Sequence, residues 1–182
     1  MTKSYYPVSI AGLKRRFPIV EIAPGVSVVV FNMLGDTEVV VHAAKALAKK
    51  MPQNIDVLVA PDGKSIPLIF ELSRITKIPY IVTRKVKKPY MLGTLKSEVV
   101  SITTGQPQTL WLDGKDKNVL KGKKVALVDD VVSTGSTFKG LRELMKAAGA
   151  KIVAEVVVFT EGDPKKWRRV ISLGNLPVFI DK

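Results

Sequence analysis

Short runs of β-branched and other apolar residues alternate along this chain with segments of helical periodicity. The runs predict strands at residues 26–31, 55–60, 80–84, 124–128 and 151–160. The segments between them predict helices at residues 36–50, 65–76 and 136–148. This order is typical of parallel strands joined by helical crossovers. We therefore expect an α/β fold with a central, mostly parallel sheet flanked by helices.

The ends of the predicted helices carry local signals. Asp36 is a suitable N-cap, Glu38 falls in the positive first turn of the same helix, and Gly149 is a suitable stop for the helix over residues 136–148.

Two parts of the chain break the alternation. Residues 85–122 contain several prolines and glycines and are too long for a plain connection, so we expect a flap there, with a hairpin of residues 98–102 against 109–112. Residues 1–35 and 161–182 hold short apolar pieces that we expect to form a small hood beside a core of about residues 36–160. A chain of 182 residues fits a single domain of this kind, covering residues 1–182.

Composition excludes several kinds of site. The chain has no cysteine and one histidine, His42, which rules out disulfides, thiolate zinc sites, a cysteine nucleophile and a histidine-based triad within one chain. Its chemistry must use carboxylates, hydroxyls, backbone amides and cations. No stretch approaches the roughly 20 apolar residues of a membrane span or the apolar run of a signal peptide, so we expect a cytoplasmic protein without a membrane partner.

Positive charge dominates the chain. It has 29 Lys and Arg against 16 Asp and Glu, a formal net charge of +13. Such an excess favours anionic partners, either a polyphosphate ligand or nucleic acid. A lysine-rich surface that serves solubility or heat tolerance is the alternative interpretation.

An acidic pair follows the apolar run of residues 125–128. Asp129 and Asp130 stand where that strand ends, which in open α/β sheets is the edge that binds ligands. The next helix is opened by a loop of small and hydroxyl-bearing residues, namely Ser133, Thr134, Gly135, Ser136 and Thr137. Backbone amides, hydroxyls and a helix N-terminus suit a phosphate monoester, while carboxylates accept from hydroxyls. Ribose 5-phosphate meets both requirements, although a plain strand end followed by a helix entry would also fit.

Residues 128–137 resemble the signature with which type I phosphoribosyltransferases bind 5-phosphoribosyl-1-pyrophosphate (PRPP). The resemblance implies that Asp129 and Asp130 hold the ribose hydroxyls, directly or through Mg²⁺, and are catalytic. It implies that residues 133–137 wrap the 5-phosphate and that Val131 lies against the base.

A second loop lies at the family's pyrophosphate position. It consists of Asp62, Gly63, Lys64 and Ser65, which follow the predicted strand over residues 55–60. Gly63 permits close backbone approach, Lys64 offers a cation, and Ser65 offers a hydroxyl at a helix start. A Walker A loop is excluded, because the glycine it requires five residues before Gly63 is Leu58. A turn capped by Asp62 or Ser65 is the plain alternative.

A basic stretch with Arg84, Lys85 and Lys88 follows the strand predicted to end at residue 84. The chain most resembles adenine phosphoribosyltransferases, over residues 56–160, and in that family the corresponding stretch contacts pyrophosphate, partly across a dimer interface. The resemblance thus implies a homodimer and catalytic roles for Lys64 and Arg84. A solvated basic loop is the alternative.

The family transfers the phosphoribosyl group from PRPP to a purine nitrogen in purine salvage and releases pyrophosphate. The resemblance favours adenine as the base, with flap residues 89–111 closing to exclude water. One departure stands out: Thr103 occupies the flap position of the family's proton-handling glutamate, and Glu98 could replace it only in a differently folded flap. The alternative function is therefore a regulator that binds PRPP and nucleic acid without turnover.

Overall fold

The computed structural model describes residues 4–100 and 107–181. The strands are β1 (Tyr5–Ile10), β2 (Leu13–Ala23), β3 (Val26–Val29), β4 (Val57–Pro61), β5 (Tyr80–Thr83), β6 (Leu95–Val100), β7 (Pro107–Leu112), β8 (Lys124–Val132), β9 (Lys151–Glu161), β10 (Gly174–Leu176) and β11 (Val178–Ile180). The helices are α1 (Thr37–Ala48), α2 (Ile66–Thr76), α3 (Gly114–Leu120) and α4 (Ser136–Ala148), with a 3₁₀ turn at Pro164–Trp167. No helix in the described ranges is both long and apolar enough to cross a bilayer.

Five parallel strands form the central sheet, in the order β10-β9-β8-β4-β5. The side chains of β8 alternate between its two faces, as in any strand buried on both sides. Ala126 and Val128 pack with α1 and α2, whereas Val125 and Leu127 pack with α4 and the β6–β7 hairpin. The expected α/β fold with helices on both faces of a parallel sheet is confirmed.

A second, antiparallel sheet has the order β1-β2-β3-β11. It packs against the central sheet through a row of aromatic rings: Phe31 lies 5.1 Å from Phe17 and 5.0 Å from Phe159, ring centre to ring centre, and both contacts are edge-to-face. Arg15 of β2 also pairs with Asp36 at 2.7 Å, just before α1. These contacts hold the antiparallel sheet against the central sheet, close to the point where the chain leaves β3.

Helix boundaries follow the local signals. Asp36 caps α1 by accepting a hydrogen bond from the Val39 amide at 3.1 Å, and Gly149 ends α4 in a left-handed conformation with φ +73°. The bounds of α4 agree with the predicted helix, while α1 runs from residue 37 to 48 rather than from 36 to 50.

Other elements also differ from the sequence-based expectations: β3 ends at Val29 rather than at residue 31, and β4 spans Val57–Pro61 rather than residues 55–60. Strand β8 continues to Val132 instead of ending at residue 128, because β9 pairs with it through Thr160. The hairpin pairs Leu95–Val100 with Pro107–Leu112, so it begins earlier than predicted, and the predicted residues 101 and 102 lie outside the described ranges. The short helix α3, capped by Asp113, was not predicted at all.

Candidate active site

Strands β4 and β8 separate at the carboxyl edge of the central sheet. Their pairing ends at Val59 and Leu127, although β8 remains paired with β9 up to Val132. The space between the two strand ends is a cavity of about 250 Å³. It is lined by Pro61, Asp62, Gly63, Lys64, Ser65, Lys85, Asp129, Asp130, Val131 and Thr137. The two loops singled out in the sequence therefore face one another across this cavity.

The acidic pair is held at the end of β8. Asp129 is 8% exposed and Asp130 is half-buried, and the Asp130 amide donates to Asp129 Oδ1 at 2.9 Å. Burial raises the pKa of Asp129 well above its usual value; the neighbouring Asp130 raises it further, and Lys85 opposes the shift. Two carboxylates at such a place favour ligands that bring hydroxyl groups or a cation.

The loop between β8 and α4 surrounds a smaller cavity of about 100 Å³. Its lining includes Ser133, Thr134, Gly135, Ser136 and Thr137. Gly135 precedes α4 with φ +82°, a conformation that favours glycine, and as the N-cap residue it offers no side chain to the helix. Among the described residues, the Ser136 amide makes a long hydrogen bond of 3.4 Å to the Thr134 hydroxyl, and the amides that follow it in the first turn of α4 are left for a ligand, as in helix N-termini that bind phosphate. Asp129, Val131 and Thr137 line both cavities, so one ligand could extend from one to the other.

The loop after β4 is built around Ser65. This side chain is fully buried and its hydroxyl donates to the Pro61 carbonyl at 3.0 Å, so Ser65 closes the turn. Gly63 has φ +147°, and a Cβ placed there would lie 3.5 Å from the Lys85 amine. The Lys64 amine lies 3.4 Å from the Phe31 carbonyl, which connects this loop to the end of β3.

The basic residues after β5 divide into two groups. Lys85 lines the larger cavity, whereas Arg84 and Lys88 do not. Arg84 pairs through its backbone with Trp111 of β7, and its guanidinium lies 3.6 Å from Asp62. Its Nε atom is buried without a hydrogen-bond partner among the described residues. Arg84 thus reaches the cavity only through Asp62, and Lys88 forms a turn with Met91.

Trp167 lies beside the site, although the sequence did not predict it there. Trp167, from the 3₁₀ turn after β9, packs directly on Gly135: a Cβ at position 135 would lie 2.8 Å from its Cη2 atom. No local motif around residue 167 indicates this contact, because it depends on how the chain returns from β9 to the loop before α4.

The acidic pair suits Mg²⁺ only in combination with a ligand. Among the described residues, no group of three or more Asp, Glu, His or Cys side chains could hold a metal ion alone. Mg²⁺ is commonly held by one or two carboxylates together with phosphate oxygens and water. Asp129 and Asp130 fit that pattern if the phosphorylated ligand completes the coordination.

Residues 32–172 match the family model described as the phosphoribosyl transferase domain. That range contains both loops and the acidic pair. The match covers more than half of the chain.

Similar curated proteins carry a more specific name. The chain is 39% identical over 116 residues to the hypoxanthine/guanine phosphoribosyltransferase of Methanotorris igneus, covering 63% of this chain and 58% of that protein. It is 36% identical over 146 residues to the protein of the same name from Methanococcus voltae, covering 79% and 70%. The match to the first relative thus spans less than two thirds of that protein's length.

Similar solved structures carry a different name. The adenine phosphoribosyltransferase of Thermoanaerobacter pseudethanolicus superposes with a TM-score of 0.66 at 21% identity, covering 94% of this chain and 95% of that one. That of Leishmania donovani superposes with a TM-score of 0.66 at 20% identity, covering 94% and 76%. At these identities the likeness concerns the fold, which is that of the type I phosphoribosyltransferases.

Proposed function

The chain belongs to the phosphoribosyl transferase domain family, and from that premise we propose that it is a purine phosphoribosyltransferase. A purine nitrogen attacks C1 of the PRPP ribose, the bond from C1 to the pyrophosphate oxygen breaks, and pyrophosphate leaves with the electron pair while the base loses a proton. The observation that carries this proposal is the Asp129–Asp130 pair, which faces a glycine-lysine loop across a cavity and adjoins an uncapped helix N-terminus.

The ribose 5-phosphate part of PRPP fits the acidic pair and the loop before α4. Asp129 and Asp130 accept hydrogen bonds from the ribose hydroxyls, and the phosphate accepts from the hydroxyls and amides of residues 133–137. Val131 lines both cavities and supplies an apolar surface for the base.

The pyrophosphate part fits the opposite wall. Gly63 leaves room for the ligand next to the backbone, and Lys64 and Lys85 bring positive charge to the same cavity. Cations held in place where negative charge develops on the leaving group commonly supply the largest electrostatic contribution to catalysis. Arg84 acts indirectly, because it pairs with Asp62, which lines the cavity. Lys88 contributes at most through its charge at a distance. Mg²⁺ bound with PRPP would neutralise pyrophosphate charge, held on the protein side by Asp129 and Asp130.

The identity of the purine base is a separate part of the proposal. The resemblance noted in the sequence favours adenine, but the relatives at 36–39% identity are named for hypoxanthine and guanine. We therefore place hypoxanthine and guanine first and adenine second. Thr103, at the position of the adenine enzymes' glutamate, lies outside the described residues. Lys96 pairs with Glu98 at 2.8 Å and lowers its pKa, which makes Glu98 a weaker base, so we expect it not to take over that glutamate's proton transfer.

The homodimer also stays a prediction. Val86 lies within the basic stretch, and Tyr90 and Leu92 follow it. They are 63%, 70% and 77% exposed and form an apolar group that a second copy could cover. Sedimentation of the purified protein would decide between one chain and two.

The deciding assay supplies PRPP and Mg²⁺ with hypoxanthine, guanine, xanthine or adenine and quantifies nucleotide and pyrophosphate. We expect turnover with at least one base, and its loss in Asp129→Asn/Asp130→Asn. The control is Asp113→Asn/Asp116→Asn, which removes the same two negative charges at the start of α3. Asn at position 113 can still cap that helix. Tight PRPP binding without any nucleotide formation would instead support the regulator, which the charge of +13 favours.

A further inference from the structure

A second, larger cavity lies on the other side of Trp167. Its volume is about 630 Å³, within the range of small-molecule sites, and it is formed between α4, β9 and the segment after β9. Its lining, called the basic cavity below, consists of Arg142, Ile152, Val153, Ala154, Glu155, Lys165, Lys166, Trp167, Arg168, Arg169 and Val170. The function proposed above uses none of these residues.

The charge of the basic cavity is strongly unbalanced. Its lining carries five cationic side chains and one carboxylate, Glu155. That carboxylate is already engaged, because the Arg142 guanidinium donates to both of its oxygens at 2.6 Å. The four cations at positions 165, 166, 168 and 169 are exposed, and within the lining no further carboxylate balances them. A ligand with several negative charges would be attracted to this rim.

The floor of the basic cavity is apolar. Ile152 of β9, Trp167 and Val170 pack on the α4 side of the sheet and are only partly buried by the protein. An inorganic anion would leave these surfaces uncovered, whereas a flat aromatic group could cover them and stack on the indole. A ligand that fits therefore joins an aromatic ring to two or more phosphates.

The indole also connects the cavity to the active site. One edge of Trp167 packs on Gly135 of the loop before α4, while the residue lines the basic cavity as well. The indole is anchored by a hydrogen bond of 3.2 Å from its Nε1 atom to the Glu161 carbonyl. A molecule in the basic cavity would thus lie one side chain away from the loop proposed to bind the 5-phosphate.

We propose that the basic cavity is a second site, which binds a nucleoside di- or triphosphate and weakens binding of ribose 5-phosphate at the loop before α4. A nucleotide stacked on Trp167 shifts the ring against Gly135 and disturbs the loop before α4, and by linkage each ligand weakens the other equally. The weakening, though not the binding itself, rests on the proposed function of that loop.

Isothermal titration calorimetry with ATP, GTP and tripolyphosphate tests the binding, with and without excess ribose 5-phosphate. We expect one nucleoside triphosphate per chain, bound more tightly than tripolyphosphate, and a stoichiometry that ribose 5-phosphate leaves unchanged. Lys166→Glu/Arg168→Glu should weaken the binding about tenfold or more. The control is Lys115→Glu/Lys123→Glu, which makes the same charge change at exposed positions outside the cavity and should retain most of the affinity.

Three outcomes would overturn the site: complete displacement of the nucleotide by ribose 5-phosphate, equal losses in the two double variants, or tighter binding of a single-stranded oligonucleotide than of any mononucleotide.

For the coupling, the nucleotide should weaken ribose 5-phosphate binding roughly two- to tenfold in the native protein, and this effect should shrink in Trp167→Leu and persist in Trp167→Phe. An unchanged effect in Trp167→Leu would refute the role of the indole. Because binding is measured directly, failure of catalysis would not be mistaken for failure of this site.

Discussion

Ser97 of β6 donates a hydrogen bond of 2.5 Å to the carboxylate of Glu143 on α4. Ser97 is 5% exposed, and Leu110 and Leu112 on the partner strand β7 are fully buried. The base of the β6–β7 hairpin is therefore part of the core, attached to the helix that starts at the proposed phosphate loop. This attachment limits how far the hairpin can open without unfolding around α4.

Replacing Ser97 by Ala should destabilise the protein by about 1–2 kcal/mol, since a hydrogen bond to a charged group is lost at a buried position. Urea unfolding at neutral pH measures the change. Lys96→Ala, next to it but on an exposed ion pair with Glu98, should change stability by less than about 0.5 kcal/mol. Equal effects of the two substitutions would show that the Ser97 bond does not hold the hairpin.

Gly135→Ala should impair PRPP binding as well as stability. The new Cβ would lie 2.8 Å and 3.3 Å from two atoms of the Trp167 ring, in addition to the backbone strain of about 1–2 kcal/mol at a positive φ. The loop or the indole must move, so we expect a KM for PRPP at least about tenfold higher.

A matched glycine separates the two causes. Gly12 has φ +88°, close to that of Gly135, but no atom of the described residues lies within 4 Å of the Cβ position there. Gly12→Ala should thus reproduce the loss of stability and leave the KM for PRPP unchanged. A similar KM increase in both variants would contradict the Trp167 contact as the cause.

Asp129→Asn should abolish turnover and yet stabilise the ligand-free protein. Burial and the adjacent Asp130 raise the pKa of Asp129 in the folded state. Its charged form therefore costs free energy that is full above the raised, folded pKa, and this cost is lost as the pH falls from there to the unfolded value of about 4. A neutral amide removes the cost at pH 7. We expect a gain of about 1 kcal/mol, roughly 2–4 °C in melting temperature for a domain of this length. Differential scanning calorimetry without ligands checks this, and a lower melting temperature would contradict it.

The ion pair between Arg15 of β2 and Asp36 at the start of α1 predicts an acid-labile contribution to stability. Hydrogen bonds from Arg15 lower the pKa of Asp36 in the folded state, so the pair stabilises the fold above the unfolded value of about 4 and loses this effect as the pH falls through the lower, folded pKa. Asp36→Asn keeps an oxygen to cap α1 but removes the pair.

Urea unfolding from pH 7 to pH 2 should therefore show Asp36→Asn less stable than the native protein at pH 7, with the difference shrinking towards the acidic end. A difference that does not change with pH would assign the loss to the cap of α1 rather than to the ion pair.

Local sequence was enough to predict the elements that carry the site. Helix α4 lies between Gly135 and Gly149, both in left-handed conformations, and its bounds follow from them. The two loops that face across the cavity were found from their residue types, since glycine, hydroxyl and acidic side chains beyond apolar strands form a distinctive pattern. The roles given to these residues remain predictions that the assays above test.

The rest depended on tertiary contacts. The end of β8 at Val132 is set by β9, which pairs with it as far as Thr160. Strand β10 joins the parallel sheet although residues 161–182 read as terminal pieces. Ser65 was expected to offer its hydroxyl to a ligand, but that hydroxyl donates to Pro61. The pattern of apolar residues within one segment does not reveal which residue of another segment a side chain or strand will contact.

The separation of β4 from β8 after Leu127 leaves one edge of β8, for its last residues, without a neighbouring strand from the described part of the chain. A ligand that fills the gap takes the place of that neighbour. The substrate would then cover this edge of the sheet, and the amides at the end of β8 would be shielded from solvent only while it is bound. The same opening that admits the ligand makes the unliganded sheet incomplete.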